Sequence, residues 1–182
     1  TIANRWSPRA FDPEYIMDDN AICALFEAAR WAPSCFGDQP WRFILFNKSD
    51  ATAFSGALNC LSVGNQDWAM DASILILVCA KKNFNHNGEA NRFNQYDTGA
   101  ASENICLQAQ YMNLSAHQMG GFDQTKASNL AAIPEDIDIL SFMAVGKILD
   151  HSKMSDSQKE RETAPRKRKP LEEVYNISTW KK

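Results

Sequence analysis

The sequence predicts a layered chain that mixes helices and strands. Three observations carry this. Hydrophobic periodicity runs in the order helix, strand, helix, strand, helix, helix, strand. The run 73–80, Ser-Ile-Leu-Ile-Leu-Val-Cys-Ala, is apolar after its first residue, as suits a strand covered on both faces. The stretch 97–114 is apolar around most of a helical circumference and carries only two charges, Asp97 and Glu103. Such a helix is buried, either inside the domain or partly against a second subunit.

Taken in order, Ala21, Ile22, Leu25, Phe26, Ala28 and Ala29 form a stripe at helical spacing over 21–30, with Asp18, Asp19 or Asn20 as cap. Residues 41–46 (Trp-Arg-Phe-Ile-Leu-Phe) read as a strand, and Ser49 can cap a helix through about Leu58. A short helical piece fits 66–72. Residues 83–94 are polar, hold Gly88 and several asparagines, and read as a loop. In MGGFD, at 119–123, Asp123 is a natural N-cap for a following helix, and Gly120 and Gly121 permit positive φ or close backbone approach. Residues 139–147 read as a strand. Beyond Leu149 the chain is polar and charged to Pro170, and 171–180 can add a last extended or strand segment.

The chain of 182 residues, 45% hydrophobic, can bury the core of one compact domain, and neither repeats nor linkers divide it. A net charge of −3 makes no global case for a nucleic-acid partner. The longest apolar run, 74–80, is about a third of the roughly 20 residues a membrane-spanning helix needs. No signal-peptide pattern opens the chain. The five cysteines are an odd set without C-x-x-C spacing, three of them inside apolar segments, which suits reduced, buried thiols. These features together predict a cytoplasmic protein. His86, His117 and His151 lie too far apart for a metal set, and Gly-rich dinucleotide fingerprints are absent.

Arg5, Ser7 and Arg9 alternate, so an extended segment would offer two guanidinium forks and a hydroxyl to one anion. A second basic run, Arg166-Lys-Arg-Lys169, taken alone fits a solvated tract, a nuclear signal or a nucleic-acid patch. Between them lies the proline-bounded loop 33–40, Pro-Ser-Cys-Phe-Gly-Asp-Gln-Pro, whose backbone cannot extend either neighbouring element and is free to face a ligand. Cys35 has no nearby histidine and reads as structural rather than nucleophilic.

R-x-S-x-R-A-F-D at 5–12, the 33–40 loop and R-K-R-K-P-L-E-E at 166–173 together resemble the FMN-dependent nitroreductase family over nearly the whole chain. The resemblance implies an α+β fold with a central mixed, mainly antiparallel sheet flanked by helices, in an intertwined homodimer. It implies one FMN-binding domain over 1–182, with about 150–182 an extended arm packing on the partner subunit. It assigns flavin contacts to Arg5, Trp6, Ser7 and Arg9, at the ribityl phosphate and the pyrimidine side, and phosphate contacts to Arg166 and Arg168. Pro33, Ser34, Cys35, Gly37 and Gln39 would line the flavin of the partner subunit. Asn65 would read the pyrimidine edge, and Gly120 or Gly121 would present a backbone N–H to flavin N5. Two departures stand out: Gly37 replaces an expected asparagine, and Trp68 replaces a lysine that several members place near flavin N1. The activity implied is an NAD(P)H oxidoreductase that reduces nitroaromatics, quinones or activated alkenes in two alternating half-reactions. NAD(P)H would be a visiting substrate, and no catalytic acid, base or nucleophile is required. The alternatives are a specialised protein of the same fold, of the dehalogenating or flavin-processing kind, or a flavin store with a basic interaction tail.

Overall fold

The computed structural model describes residues 1–180 and consists of six α-helices around a four-stranded sheet. The elements are α1 (Asp19–Arg30), β1 (Trp41–Asn47), α2 (Ala51–Leu58), α3 (Val63–Ala69), β2 (Ile74–Lys81), α4 (Asn94–Tyr111), β3 (Ser115–Met119), α5 (Gln124–Ala131), β4 (Ile137–Gly146) and α6 (Asp156–Thr163). The sheet order is β1-β2-β4-β3, and all three pairings are antiparallel. No helix among the described residues is long and apolar enough to cross a membrane.

β2 shows why the sheet is central. Its alternate residues divide between two cores: Ile74, Ile76 and Val78 pack with α1 and α4, while Leu75, Leu77 and Cys79 pack with α2, α3 and α5. A strand with a period of two and helices on both faces has no polar side, hence the unbroken apolar run. α4 is buried along Thr98, Ala101, Ile105 and Ala109, but Tyr96 and Tyr111 project from its other side. The expectation of a helix covered all round therefore holds for one face of this protomer.

Several expectations are corrected. Asp50, not Ser49, caps α2, its carboxylate accepting from the Ala53 N–H at 3.0 Å. α3 starts at Val63 and ends at Ala69, ahead of the expected span, and α4 starts at Asn94 and ends at Tyr111. Asn113 takes φ +57, which turns the chain out of α4 into β3. That strand was not expected, because its five residues, Ser-Ala-His-Gln-Met, carry no clear alternation. α6 was not expected either, since it has no apolar stripe; its start is fixed by a capping box between Ser155 and Gln158. Residues 171–180 form no strand: Leu171–Glu173 is a single 3-10 turn.

The N-terminal segment meets the stretch that follows β4. The Asp12 N–H donates to the Lys147 carbonyl at 2.8 Å and the Leu149 N–H to the Ala10 carbonyl at 3.0 Å, so 10–12 run beside 147–149. Gly146 permits this approach, because a Cβ there would sit 3.1 Å from both the Phe11 ring and the Ser73 nitrogen.

Candidate functional site

The two terminal segments build an arginine-lined cleft of about 590 Å³, bordered by Ile2, Ala3, Arg5, Glu103, Arg166 and Arg168. Arg166 is the staple: its guanidinium donates to the Arg5 carbonyl at 2.7 Å and to the Ala3 carbonyl. Arg5 donates to the Ser7 hydroxyl at 3.3 Å and pairs with Glu103 of α4 at 3.5 Å. The Arg168 guanidinium donates to the Lys167 carbonyl at 2.9 Å. Three guanidinium groups against one carboxylate leave a formal charge of +2 (three minus one) around the cleft. That donor set suits a phosphate dianion.

Arg9 lies apart from this lining. Its backbone N–H donates to Glu162 of α6 at 2.8 Å, and its guanidinium stands 6.0 Å from the centroid of Trp68. Burial pushes the Glu162 carboxyl up, against the lowering effect of the Arg9 N–H. Trp68 is a core side chain, stacked on Phe11 at 6.2 Å and set 4.5 Å from the His117 ring. Burial lowers the pKa of His117, partly opposed by the Pro8 carbonyl 2.8 Å from its Nδ1. Trp68 thus fills space beneath the segment holding Arg9, and Arg9 supplies a cation over it. Trp6 lines a separate cleft with Glu162 and Arg166.

Asn65 and Gly121 form one unit. The Asn65 amide donates to the Gly121 carbonyl at 3.0 Å, and the Ser62 N–H donates to the same oxygen at 2.9 Å. A Cβ on Gly121 would lie 2.9 Å from Ser62 Oγ and 3.0 Å from Asn65 Nδ2, so a side chain here would have to displace the Ser62 hydroxyl and the Asn65 amide. A Cβ on Gly120 would meet nothing within 4 Å. Gly120 is therefore the residue of the pair whose surroundings are open.

The third group is the 33–40 loop. The Cys35 N–H donates to the buried carboxylate of Asp97 at 2.9 Å, and Ser34 Oγ accepts from the Gln39 N–H at 3.0 Å. Phe36, Gly37 and Gln39 all have positive φ, between 52° and 66°. Pro33, Ser34 and Cys35 line an apolar recess of about 320 Å³ with Phe93, Tyr96 and Ala100. Gly37 lies on the other side of the loop, beside His86. Hydrogen bonds tie this loop to α4, to Asn85 and, at its Gln39 and Pro40 carbonyls, to Arg42 and Lys81, while the arginine cleft meets α4 six residues further along, at Glu103.

The structure thus joins Arg5, Ser7, Arg166 and Arg168, joins Asn65 to Gly121, and sets the 33–40 loop apart. Sequence reasoning missed Glu103 and Asp97 as parts of these sites. A signal existed: they are the only charges on an otherwise uncharged helix, and each holds one edge of a site.

Fold and sites together define an α+β protein in which arginines from both terminal segments line one cleft, with a strained loop on a neighbouring face. The chain belongs to the Nitroreductase family, whose profile matches residues 2–59 and 51–147. A solved oxidoreductase containing FMN superposes with a TM-score of 0.89 at 34% identity, over 97% of this chain and 89% of that one. A 15.4 kDa protein of Mycolicibacterium smegmatis is 32% identical over 130 residues, 70% of this chain and 84% of its own. An oxygen-insensitive NADPH nitroreductase of Helicobacter acinonychis is 25% identical over 180 residues, 79% of this chain and 83% of its own.

Proposed function

We propose that this chain is an FMN-dependent oxidoreductase that uses NAD(P)H to reduce electron-poor acceptors such as nitroaromatics, quinones or activated alkenes. The observation that carries the reading is the convergence of Arg5 with Arg166 and Arg168, which lie 161 residues or more away in sequence, on one cleft with net positive charge. Membership of a family with an FMN-containing relative supports it.

When bound, FMN supplies a ring that takes up and gives back a hydride. The protein's part is placement. Arg5, Arg166 and Arg168 hold the phosphate, with Ser7 held beside them by Arg5. Asn65 keeps its carbonyl oxygen for a ring N–H while its amide group is committed to Gly121. Arg9 places positive charge at the pyrimidine side, above the buried Trp68 that stands at the position where several members carry a lysine. Gly120 leaves the backbone open to the ring edge.

The 33–40 loop reaches the flavin from a second protomer in this reading, so the functional unit is a homodimer. The exposed apolar side chains of 171–180, with Trp180 85% exposed, support an arm that finds its cover on the partner. Purified protein is expected to be yellow, to sediment as a dimer, and to bleach under nitrogen on addition of NADH or NADPH. A colourless monomer that ignores added FMN refutes the proposal.

A further inference from the structure

The packing of the domain does not account for Phe36. The residue is 82% exposed, and its backbone sits at φ 55°, ψ 16°, an unfavourable region for a bulky side chain. Gly37 follows at φ 66°, so two consecutive left-handed residues turn the ring outward. The ring is nonetheless held in place. It meets Phe84 at 5.7 Å and 74°, and His86 at 5.3 Å and 65°. The segment bearing those two rings is fastened by Asn85, whose backbone N–H donates to Asp38 Oδ1 at 2.8 Å and whose amide donates to the Asp38 carbonyl at 3.2 Å. Beside them lies a cleft of about 420 Å³, lined by Phe36, Gly37, Asp38, Asn85 and His86.

We infer that Phe36, braced by Phe84 and His86, is an aromatic ledge that selects planar aromatic electron acceptors, nitroarenes or naphthoquinones, over non-aromatic ones. The inference rests on the reading above, in which the 33–40 loop overhangs the flavin. Both neighbours approach Phe36 at steep angles, and a ring so exposed presents a face for offset stacking. Backbone strain held by a rigid surround, with no burial in return, is expected where a side chain must be presented to a ligand. The volume of the cleft suits a one- or two-ring compound.

Phe36→Gly removes the ring and suits the positive φ, so the fold is retained; Phe36→Tyr keeps the ring. Two measurements on the FMN-loaded proteins test the ledge: calorimetric binding of redox-inert 2-naphthoate to the oxidised form, and anaerobic reoxidation of the dithionite-reduced form by 4-nitrobenzoate or by ferricyanide. Phe36→Gly is expected to raise the naphthoate Kd and slow the nitrobenzoate reaction roughly two- to tenfold, with the ferricyanide rate unchanged and Phe36→Tyr resembling the parent. Equal slowing with both oxidants, or no change in either measurement, overturns the ledge alone. A parent protein that takes up no FMN overturns the underlying reading and the ledge with it.

Discussion

Removal of Arg168 isolates the anion-holding role of the cleft, because its guanidinium is bonded locally, to the Lys167 carbonyl, and does not hold the termini together. Three arginines face one carboxylate, so Arg168→Ala lowers the formal charge of the cleft from +2 to +1. One charge-assisted hydrogen bond is worth about 1.5–3 kcal/mol, roughly a 10- to 150-fold rise in the FMN dissociation constant. Thermal stability should hardly change. Arg166→Ala removes a similar phosphate contact and also two hydrogen bonds to the carbonyls of Ala3 and Arg5. It should weaken FMN binding to a comparable degree and lower stability by about 1 kcal/mol. The assay is fluorescence titration of apoprotein with FMN and, in parallel, with riboflavin, which has the same ring without the phosphate. Arg168→Ala should impair FMN binding and leave riboflavin binding unchanged. Equal losses for both ligands, or no loss for either, would refute the assignment of this cleft to the phosphate.

Three further outcomes follow from the packing. Gly120→Ala should leave stability within about 0.5 kcal/mol, while Gly121→Ala should lower it and reduce flavin content, since its Cβ would displace Asn65; paired melts and cofactor titrations check this. Burial pushes the Cys79 and Cys106 thiols from 9.0 up to about 11. The unfolded chain then loses these protons first, so stability should be full below about pH 9 and fall between about 9 and 11, by roughly 1.4 kcal/mol per pH unit for each thiol. Denaturation midpoints against pH, with Cys79→Ala showing the shallower fall, test that sign. Leu77→Ala, at a fully buried position of β2, should cost about 2–5 kcal/mol by urea denaturation, with both cores reporting one transition.

Much of the architecture was legible from local rules. The unbroken apolar run of β2, the stripe of α1 and the cap at Asp123 are short-range patterns that the structure reproduces, and of the three candidate caps for α1 it selects Asp18. β3 and α6 were not legible, because one is a strand by virtue of pairing with β4 and the other is held by a capping box without an apolar face. The candidate site divides in the same way. Arg5, Arg166 and Arg168 could be named from motifs, but their meeting depends on the antiparallel run of 10–12 beside 147–149. The parting of Arg9 from that cleft depends on Glu162, a residue on a helix that the periodicity did not reveal.

Taken alone, the order of residues determined which segments bury apolar surface and which carry charge to spare, since periodicity and capping act over a few positions. Only the tertiary structure decided which distant charges share a cleft, and which glycine is packed and which is open. Those outcomes depend on chain closure over more than a hundred residues, where sheet pairing, not local propensity, sets the distances.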